Sequence, residues 1–197
     1  VLPELFENYS ILPVDDYPLK SPEHETLSGP LVFGSFNNLL KLSDRCVRLW
    51  SQVLEAEPDS VLLIKAPVLN DPAAQRRTLE RFAEQGIGPQ RLRLRGPTEL
   101  SQMMAEYHEV HVALDPTPYN GGTTSLQALW MGVPLVTMLG DNFVSRMGAS
   151  FLHAMGCDEW VAQDETQYVN IARGLAQRWR QRGWSRQAQR QTMAAST

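Results

Sequence analysis

Residues 120–124 have the sequence Asn-Gly-Gly-Thr-Thr, which has the composition of a phosphate-binding turn. They follow an apolar, strand-like stretch at 109–114 and begin a helical pattern that Gly132 ends. The first N–H groups of a helix have no partner within the helix and lie at the positive end of its dipole. Glycines let the backbone approach a ligand and threonine hydroxyls add donors, so a phosphate group fits such a turn. The alternative is a plain glycine-rich loop with a threonine helix cap.

A second loop, residues 35–41, follows the first apolar run of the chain. The adjacent Asn37 and Asn38 offer amides that could orient a diphosphate, and Lys41, three residues after Asn38, offers a mobile positive charge. The alternative is that the asparagines form a turn and the lysine is a solvated surface charge. In a third loop, Arg146 could face phosphates or pair with a structural carboxylate such as Asp141, and we favour the structural role.

These loops can form one site only if the strands before them end side by side. Strand-like runs occupy residues 31–36, 60–65, 91–95, 109–114, 133–137 and 159–162. Helical patterns stand between these runs and after the last one, which indicates βαβ units and a parallel sheet. Right-handed crossovers then give a doubly wound, Rossmann-like α/β fold, in which ligands bind at the carboxyl ends of the strands.

The bulk composition is that of a globular protein, with 197 residues, 43% hydrophobic and 20% charged. We predict a Rossmann-like domain at 30–180, a linker or arm at 1–29, and a tail at 181–197 that frays, is partly helical or packs on an absent region. The net charge of −4 argues against nonspecific binding of nucleic acid. No apolar stretch approaches the ~20 residues that span a bilayer, so no membrane partner is expected. The two distant cysteines, Cys46 and Cys157, favour a reduced, cytoplasmic protein.

Several common chemistries lack their motifs in this chain. No Gly-x-Ser-x-Gly elbow supports acyl transfer, and no Gly-x-Gly-x-x-Gly turn supports a nicotinamide cofactor. His108 and His111 are three residues apart, but no third ligand stands near them in the sequence, so we predict no metal site. The chain also opens without Met, and we expect it to be a piece of a longer protein.

Four stretches, in order and with compatible spacing, resemble the carboxyl-terminal half of the O-GlcNAc transferase / SPINDLY-like glycosyltransferase family, its bacterial members especially. They are residues 33–41, 113–124, 128–137 and 140–150. The order Asn-Gly-Gly-Thr-Thr and then Ala-Leu-Trp-Met-Gly-Val-Pro is specific for this family. The resemblance implies a GT-B architecture, in which two Rossmann-like halves enclose the active site, and this chain would be the half that binds the donor nucleotide.

The resemblance also implies a function and a set of residues. The donor would be a UDP-sugar, usually UDP-GlcNAc, although relatives use other nucleotide sugars, GDP-fucose among them. Transfer to a protein Ser or Thr would be inverting and independent of metal, without a cofactor, and Lys41 would be the catalytic residue that stabilises the departing UDP. The donor-binding residues would be Asn38, Lys41, Met103, Asn120, Gly121, Gly122, Thr123, Thr124 and Gln127.

Two of these positions depart from the family pattern. Gln127 stands where relatives often carry an acidic residue for the ribose hydroxyls, and Met103 stands where many have a His against the uracil ring. The acceptor half, with its base and the TPR repeats often found upstream, is absent from this sequence, so we expect the chain alone to bind nucleotide sugar weakly and to transfer none. The alternatives are a noncatalytic nucleotide-sugar-binding or interaction module from a degenerate transferase, and a GT-B relative of another class such as a sugar-nucleotide epimerase.

Overall fold

A computed structural model describes residues 17–19 and 25–196. Its strands are β1 Leu31–Ser35, β2 Ser60–Lys65, β3 Leu92–Arg95, β4 Val112–Leu114, β5 Leu135–Met138 and β6 Val161–Ala162. They form one sheet in the order β3-β2-β1-β4-β5-β6, and every neighbouring pair is parallel. This is the strand order of a doubly wound Rossmann fold, as the alternation of strands and helices predicts.

Seven α-helices accompany the sheet in the described residues. They are α1 Asp44–Ala56, α2 Pro72–Ala83, α3 Leu100–Glu106, α4 Thr123–Trp130, α5 Met147–Ala154, α6 Glu165–Arg182 and α7 Arg186–Ala194. Short 3-10 helices lie in several of the connections, including Leu39–Lys41 after β1 and Tyr107–Glu109 before β4. Every residue of β1 and β2 is buried, which is expected of central strands with helices on both faces of the sheet.

The helices begin where short polar side chains can cap them. Ser43 accepts a hydrogen bond from the backbone N–H of Cys46, and Asp164 accepts one from Gln167, so each supplies the N-cap of its helix. Asp71 caps α2 and Pro72 occupies its first position, as the Asp-Pro pair in the sequence indicates. These local signals fix the starts of α1, α2 and α6, and so the lengths of the loops before them.

The strand order reverses between β1 and β4, which lie side by side at the centre of the sheet. The chain after β1 leads away to β2 and β3, and the chain after β4 leads the other way to β5 and β6. A crevice opens where such loops diverge, at the carboxyl ends of the two strands. The loop at 35–41 and the glycine turn both start from this point.

The described residues after α6 pack on the rest of the domain. Helix α7 contacts α4, and its first residue, Arg186, is completely buried. The backbone groups of Trp184 and Glu25 exchange two hydrogen bonds, of 2.8 and 2.9 Å, which tie the connection between α6 and α7 to the segment before β1. Of the predicted arm at 1–29, most lies outside the described residues, and the proposed division into domains stays a prediction.

Candidate functional site

Lys41 lies directly against the glycine turn. The short helix Leu39–Lys41 brings its side chain across the crevice, and Nζ donates a hydrogen bond of 2.8 Å to the backbone oxygen of Asn120. The same ammonium group lies 4.3 Å from the centre of the Tyr119 ring. Partial burial lowers the pKa of Lys41, and the charge of Asp115 acts in the opposite direction. The structure therefore places the cation and the glycine turn together at one edge of the sheet.

Asn120 shapes the turn from inside. It is completely buried, its N–H donates to the oxygen of Val144 at 2.9 Å, and Nδ2 donates to the oxygen of Pro116 at 3.0 Å. Its Oδ1 has no hydrogen-bond partner among residues 17–19 and 25–196. In this structure Asn120 holds the loop and presents its backbone oxygen to Lys41, and a direct contact with the donor stays a prediction.

The two glycines of the turn have different surroundings. The N–H of Gly121 donates to Oδ1 of Asp115 at 2.7 Å, and a Cβ added at Gly121 would overlap the Ser125 hydroxyl. Gly122 is the N-cap of α4, and its carbonyl accepts from the backbone N–H groups of Ser125 and Leu126. The N–H groups of Gly122 and of the two residues after it donate to no acceptor in the described part of the chain. Three donors at the start of α4 are thus available to an anion.

A pair of side chains joins the β1 loop to the start of α4. The hydroxyl of Thr124 donates to Oδ1 of Asn37 at 2.8 Å, and Nδ2 of Asn37 donates to the hydroxyl of Ser35 at 3.2 Å. The adjacent amide, Asn38, is exposed, and its Oδ1 accepts from the N–H of Leu40 and caps the short helix. Of the two adjacent amides, Asn37 is thus the one that contacts the glycine turn, and a contact of Asn38 with the donor stays a prediction.

Asp115 lies beneath the turn and is absent from the predicted site. It directly follows β4 and is completely buried. Its Oδ1 accepts from the Gly121 N–H and from the Ser125 hydroxyl at 3.1 Å, and Oδ2 accepts from the Thr137 hydroxyl at 2.6 Å. Burial raises the pKa of Asp115 to about 6, although its three donors and the charge of Lys41 act to lower it. A carboxylate directly after a buried strand, at the edge where ligands bind, is the sequence signal that could have identified it.

The two predicted nucleoside contacts flank this centre. Gln127 is 6% exposed on α4, and its side chain makes no hydrogen bond to any described residue. Met103 is half-buried on α3, four residues before Tyr107, so the two side chains lie on the same side of that segment. The Tyr107 hydroxyl donates to the backbone oxygen of Thr124 at 3.0 Å, which ties α3 to the start of α4.

The remaining candidates have structural surroundings. Arg146 is exposed, and its Nη1 donates to the oxygen of Gly140 at 3.3 Å. His111 is half-buried, and its Nδ1 accepts from the backbone N–H of Val32 at 2.9 Å. Within the described ranges, no three His, Cys, Asp or Glu side chains are grouped so that they could hold a metal ion. No helix found in those ranges has the length and apolarity that a membrane crossing needs.

The comparisons with known sequences agree on one family of proteins. A model of Glycosyl transferase family 41 matches residues 20–194. The SPINDLY protein of Oryza sativa subsp. japonica, named as a probable UDP-N-acetylglucosamine–peptide N-acetylglucosaminyltransferase, is 36% identical over 176 residues. These residues make up 89% of this chain but only 19% of the rice protein, so the chain spans about a fifth of that relative.

Comparison with solved structures gives the fold. An O-GlcNAc transferase mutant from Thermobaculum terrenum superposes with a TM-score of 0.74 at 30% identity, over 91% of this chain and 40% of that one. The C-terminal domain of a glycosyl transferase group 1 family protein from Francisella tularensis gives a TM-score of 0.64 at 11% identity, over 93% of this chain and 97% of that one. At that identity the second likeness shows the fold alone. Together they confirm the predicted fold class, the carboxyl-terminal half of a GT-B glycosyltransferase.

Proposed function

Because this chain belongs to glycosyl transferase family 41, we propose that it is the donor-binding half of a protein glycosyltransferase that uses a UDP-sugar, UDP-GlcNAc first among the candidates. The observation that carries the proposal is the hydrogen bond from the Lys41 ammonium to the Asn120 oxygen, in the same turn that leaves three N–H groups available at the start of α4. A diphosphate needs both a cation and oriented donors, and the crevice between β1 and β4 supplies them at one point. The choice of donor is supported by the rice relative, whose name includes UDP-N-acetylglucosamine.

The chemistry assigned to this half is electrostatic. As the bond between the sugar and the diphosphate breaks, negative charge grows on the departing UDP. Lys41 can exchange the Asn120 oxygen for a phosphate oxygen, and the N–H groups at the start of α4 stabilise the same charge without moving. Contacts that strengthen as the charge develops raise turnover more than they raise ground-state binding. On this proposal the reaction is inverting and needs no metal ion, because fixed donors and one cation take that role.

The other predicted residues would hold the nucleoside. Gln127 can accept a hydrogen bond from a ribose hydroxyl through its amide oxygen, and its side chain makes no hydrogen bond to a described residue. Met103 can pack its thioether against the face of the base. The acceptor Ser or Thr and the general base would come from the other half of the longer protein. The chain alone should therefore bind donor and should not transfer the sugar.

Calorimetry on the 197-residue chain tests the binding step. UDP and UDP-GlcNAc should bind more tightly than UMP by about tenfold or more, because a charge-assisted contact to the second phosphate contributes ~1.5–3 kcal/mol. GDP tests the choice of base. If the folded chain binds none of these nucleotides, the proposal is wrong and the noncatalytic interaction module is favoured.

Turnover is tested with Lys41→Ala in the longer parent protein. Loss of the ammonium should lower sugar transfer to peptide by about ten- to a few hundred-fold while the fold is kept. Arg146→Ala is the matched control, since it removes an exposed positive charge from the same edge of the sheet and should leave transfer nearly unchanged. Product analysis belongs to the same assay. Release of a free sugar epimer in place of glycosylated peptide would favour an epimerase.

A further inference from the structure

A negative charge lies at the base of a site that should receive a negatively charged ligand. Asp115 is completely buried and directly follows β4 beneath the glycine turn. A carboxylate in such a place disfavours an anion by simple repulsion. We therefore expect the carboxylate to have a role that outweighs this repulsion, and its contacts indicate two such roles.

The first role concerns the shape of the turn. Asp115 accepts the N–H of Gly121 and the hydroxyl of Ser125 through one oxygen, and the hydroxyl of Thr137 through the other. These bonds tie the turn, the first turn of α4 and strand β5 to one carboxylate. A Cβ added at Gly148 would overlap both Asp115 and Thr137, so α5 closes the space on the remaining side. The carboxylate is thus held in one orientation, and the next N–H groups of the turn are left for a ligand.

The second role concerns the charge of Lys41. The ionisable groups that interact with Asp115 are Lys41, Cys46 and Tyr168. Burial raises the pKa of the Cys46 thiol to about 12 and also raises the pKa of the Tyr168 hydroxyl, so both are neutral near pH 7. Among the described residues, Lys41 is then the charged group that interacts with the carboxylate. The two groups hold adjacent residues of the turn, because Lys41 Nζ donates to the Asn120 oxygen and Asp115 accepts the N–H of Gly121. Partial burial favours the neutral amine of Lys41, and the nearby negative charge opposes this loss.

Resting on the diphosphate site proposed above, we propose that Asp115 is its positioning residue, whose carboxylate fixes the glycine turn and keeps Lys41 in its charged form beside it. Asp115 makes no contact with the ligand in this role. It acts through the Gly121 N–H and through the electrostatic field at Lys41. A residue that served only to fold the loop would shape the turn but would not control the protonation of the lysine.

Affinity at one pH cannot separate these roles. Replacing Asp115 with asparagine removes repulsion toward the phosphates, which strengthens binding, and lets Lys41 lose its proton more easily, which weakens it. The two effects oppose each other near neutral pH, but only the second changes the pH at which binding is lost on the alkaline side. The position of that alkaline limb is therefore the informative measurement.

The chain has three lysines, Lys20, Lys41 and Lys65, so NMR of lysine labelled with 13C at the ε carbon can follow each one. In Asp115→Asn the Lys41 signal should titrate at lower pH than in the wild-type chain, and the alkaline loss of UDP affinity should move by the same amount. A titration midpoint that falls by one pH unit means that the amine binds its proton about tenfold more weakly. Ser125→Ala removes one hydrogen bond to Asp115 but no charge, and should leave the Lys41 titration in place. Equal Lys41 titrations in wild type and Asp115→Asn would overturn the inference.

A second variant keeps the test open if Asp115→Asn does not fold. The interaction is reciprocal, so Lys41→Met must raise the pH at which the Asp115 carboxyl titrates above its wild-type value. The 13C signal of the Asp115 carboxyl reports this directly, and an unchanged titration also overturns the inference. These titrations need no ligand. A wild-type chain that fails to bind UDP would thus contradict the proposed function, while the NMR result judges the role of Asp115 separately.

Discussion

At the scale of single residues, the hydroxyl of Thr124 links the two loops of the site. Thr124 donates to Asn37 across the crevice, whereas its exposed neighbour Thr123 makes no side-chain hydrogen bond to a described residue. The two threonines are adjacent and identical in type, and the structure gives them unequal roles. The difference comes from where the first turn of α4 points each side chain.

Thr124→Val should therefore lower the free energy of unfolding by about 1–2 kcal/mol, because it removes a partly buried hydrogen bond and leaves the Asn37 oxygen without that donor. Chemical denaturation of the 197-residue chain measures the change. Thr123→Val is the matched control and should change the free energy of unfolding by less than about 0.5 kcal/mol. Equal losses in the two variants would contradict the link between the loops.

Residue types predict only part of a site, as three residues show: Asn37, Asn38 and Asp115. The glycine turn and Lys41 are recognisable from the sequence because their chemistry depends on type and local order. Which of two adjacent amides faces the crevice depends on the short helix after β1, and that helix turns Asn38 outward as its own cap. The contacts of Asp115 come from β5 and α4 as well as from its own loop, so no local pattern could specify them.

At the scale of elements, His111 joins β4 to β1 through its side chain as well as its backbone. Its backbone N–H donates to the oxygen of Val32, and its Nδ1 accepts from the N–H of the same residue. The second bond requires an unprotonated Nδ1. Burial lowers the pKa of His111 to about 4, and the nearby positive charge of Arg186 acts in the same direction.

This geometry predicts acid sensitivity. A base whose pKa falls from about 6.5 in the unfolded chain to about 4 in the folded one contributes stability that is complete above pH ~6.5 and is lost as pH falls toward 4. Between pH 7 and pH 5 the contribution of His111 to the free energy of unfolding should fall by about 2 kcal/mol. Denaturant unfolding of the wild type and of His111→Gln measures it, and the variant should have the flatter dependence.

Asp115 acts in the opposite sense over the same pH range. Its pKa is raised in the fold, so its contribution is complete below pH ~4 and is lost as pH rises through about 6. The difference between wild type and His111→Gln isolates the histidine because both proteins keep Asp115. If the two unfolding curves are parallel from pH 7 to pH 5, His111 does not hold the strands in the way described.

The elements themselves were predicted to different extents. Continuous apolar runs specify β1 and β2 because both faces of these strands are buried. The predicted strand at 109–114 is shorter, Val112–Leu114, because its first residue belongs to the 3-10 helix Tyr107–Glu109. Helix α7 lies within residues 181–197, for which the sequence predicts a tail that frays, is partly helical or packs on an absent region. Its buried side is polar, so a search for an apolar stripe does not find it.

At the scale of the whole molecule, Arg186 connects the last helix to the centre of the fold. Its guanidinium donates to four backbone oxygens and pairs with the carboxylate of Glu25 at 3.0 Å. The oxygens belong to Tyr107, His108, Val110 and Met131. Gly132 lies against it with φ of +69°, and a Cβ there would overlap the Arg186 backbone. A polar residue can be buried here because its guanidinium finds acceptors on several sides.

Arg186→Met should lower the free energy of unfolding by about 3 kcal/mol, because it leaves Glu25 and several buried oxygens without their donor. Arg48→Met, on the exposed side of α1, is the matched control and should have an effect below about 0.5 kcal/mol. Thermal and denaturant unfolding of both variants give the comparison. A small effect at Arg186 would mean that water replaces its bonds.

The packing of α7 on α4 has a consequence for synthesis of the protein. Helix α4 begins at the glycine turn, and its other end is held by α7, which follows it in the chain. When the ribosome has synthesised the loops of the crevice, it has not yet synthesised α7, which packs against α4 and supports those loops. Nascent chains stalled before residue 186 should accordingly bind UDP poorly, and binding should appear only after α7 has emerged.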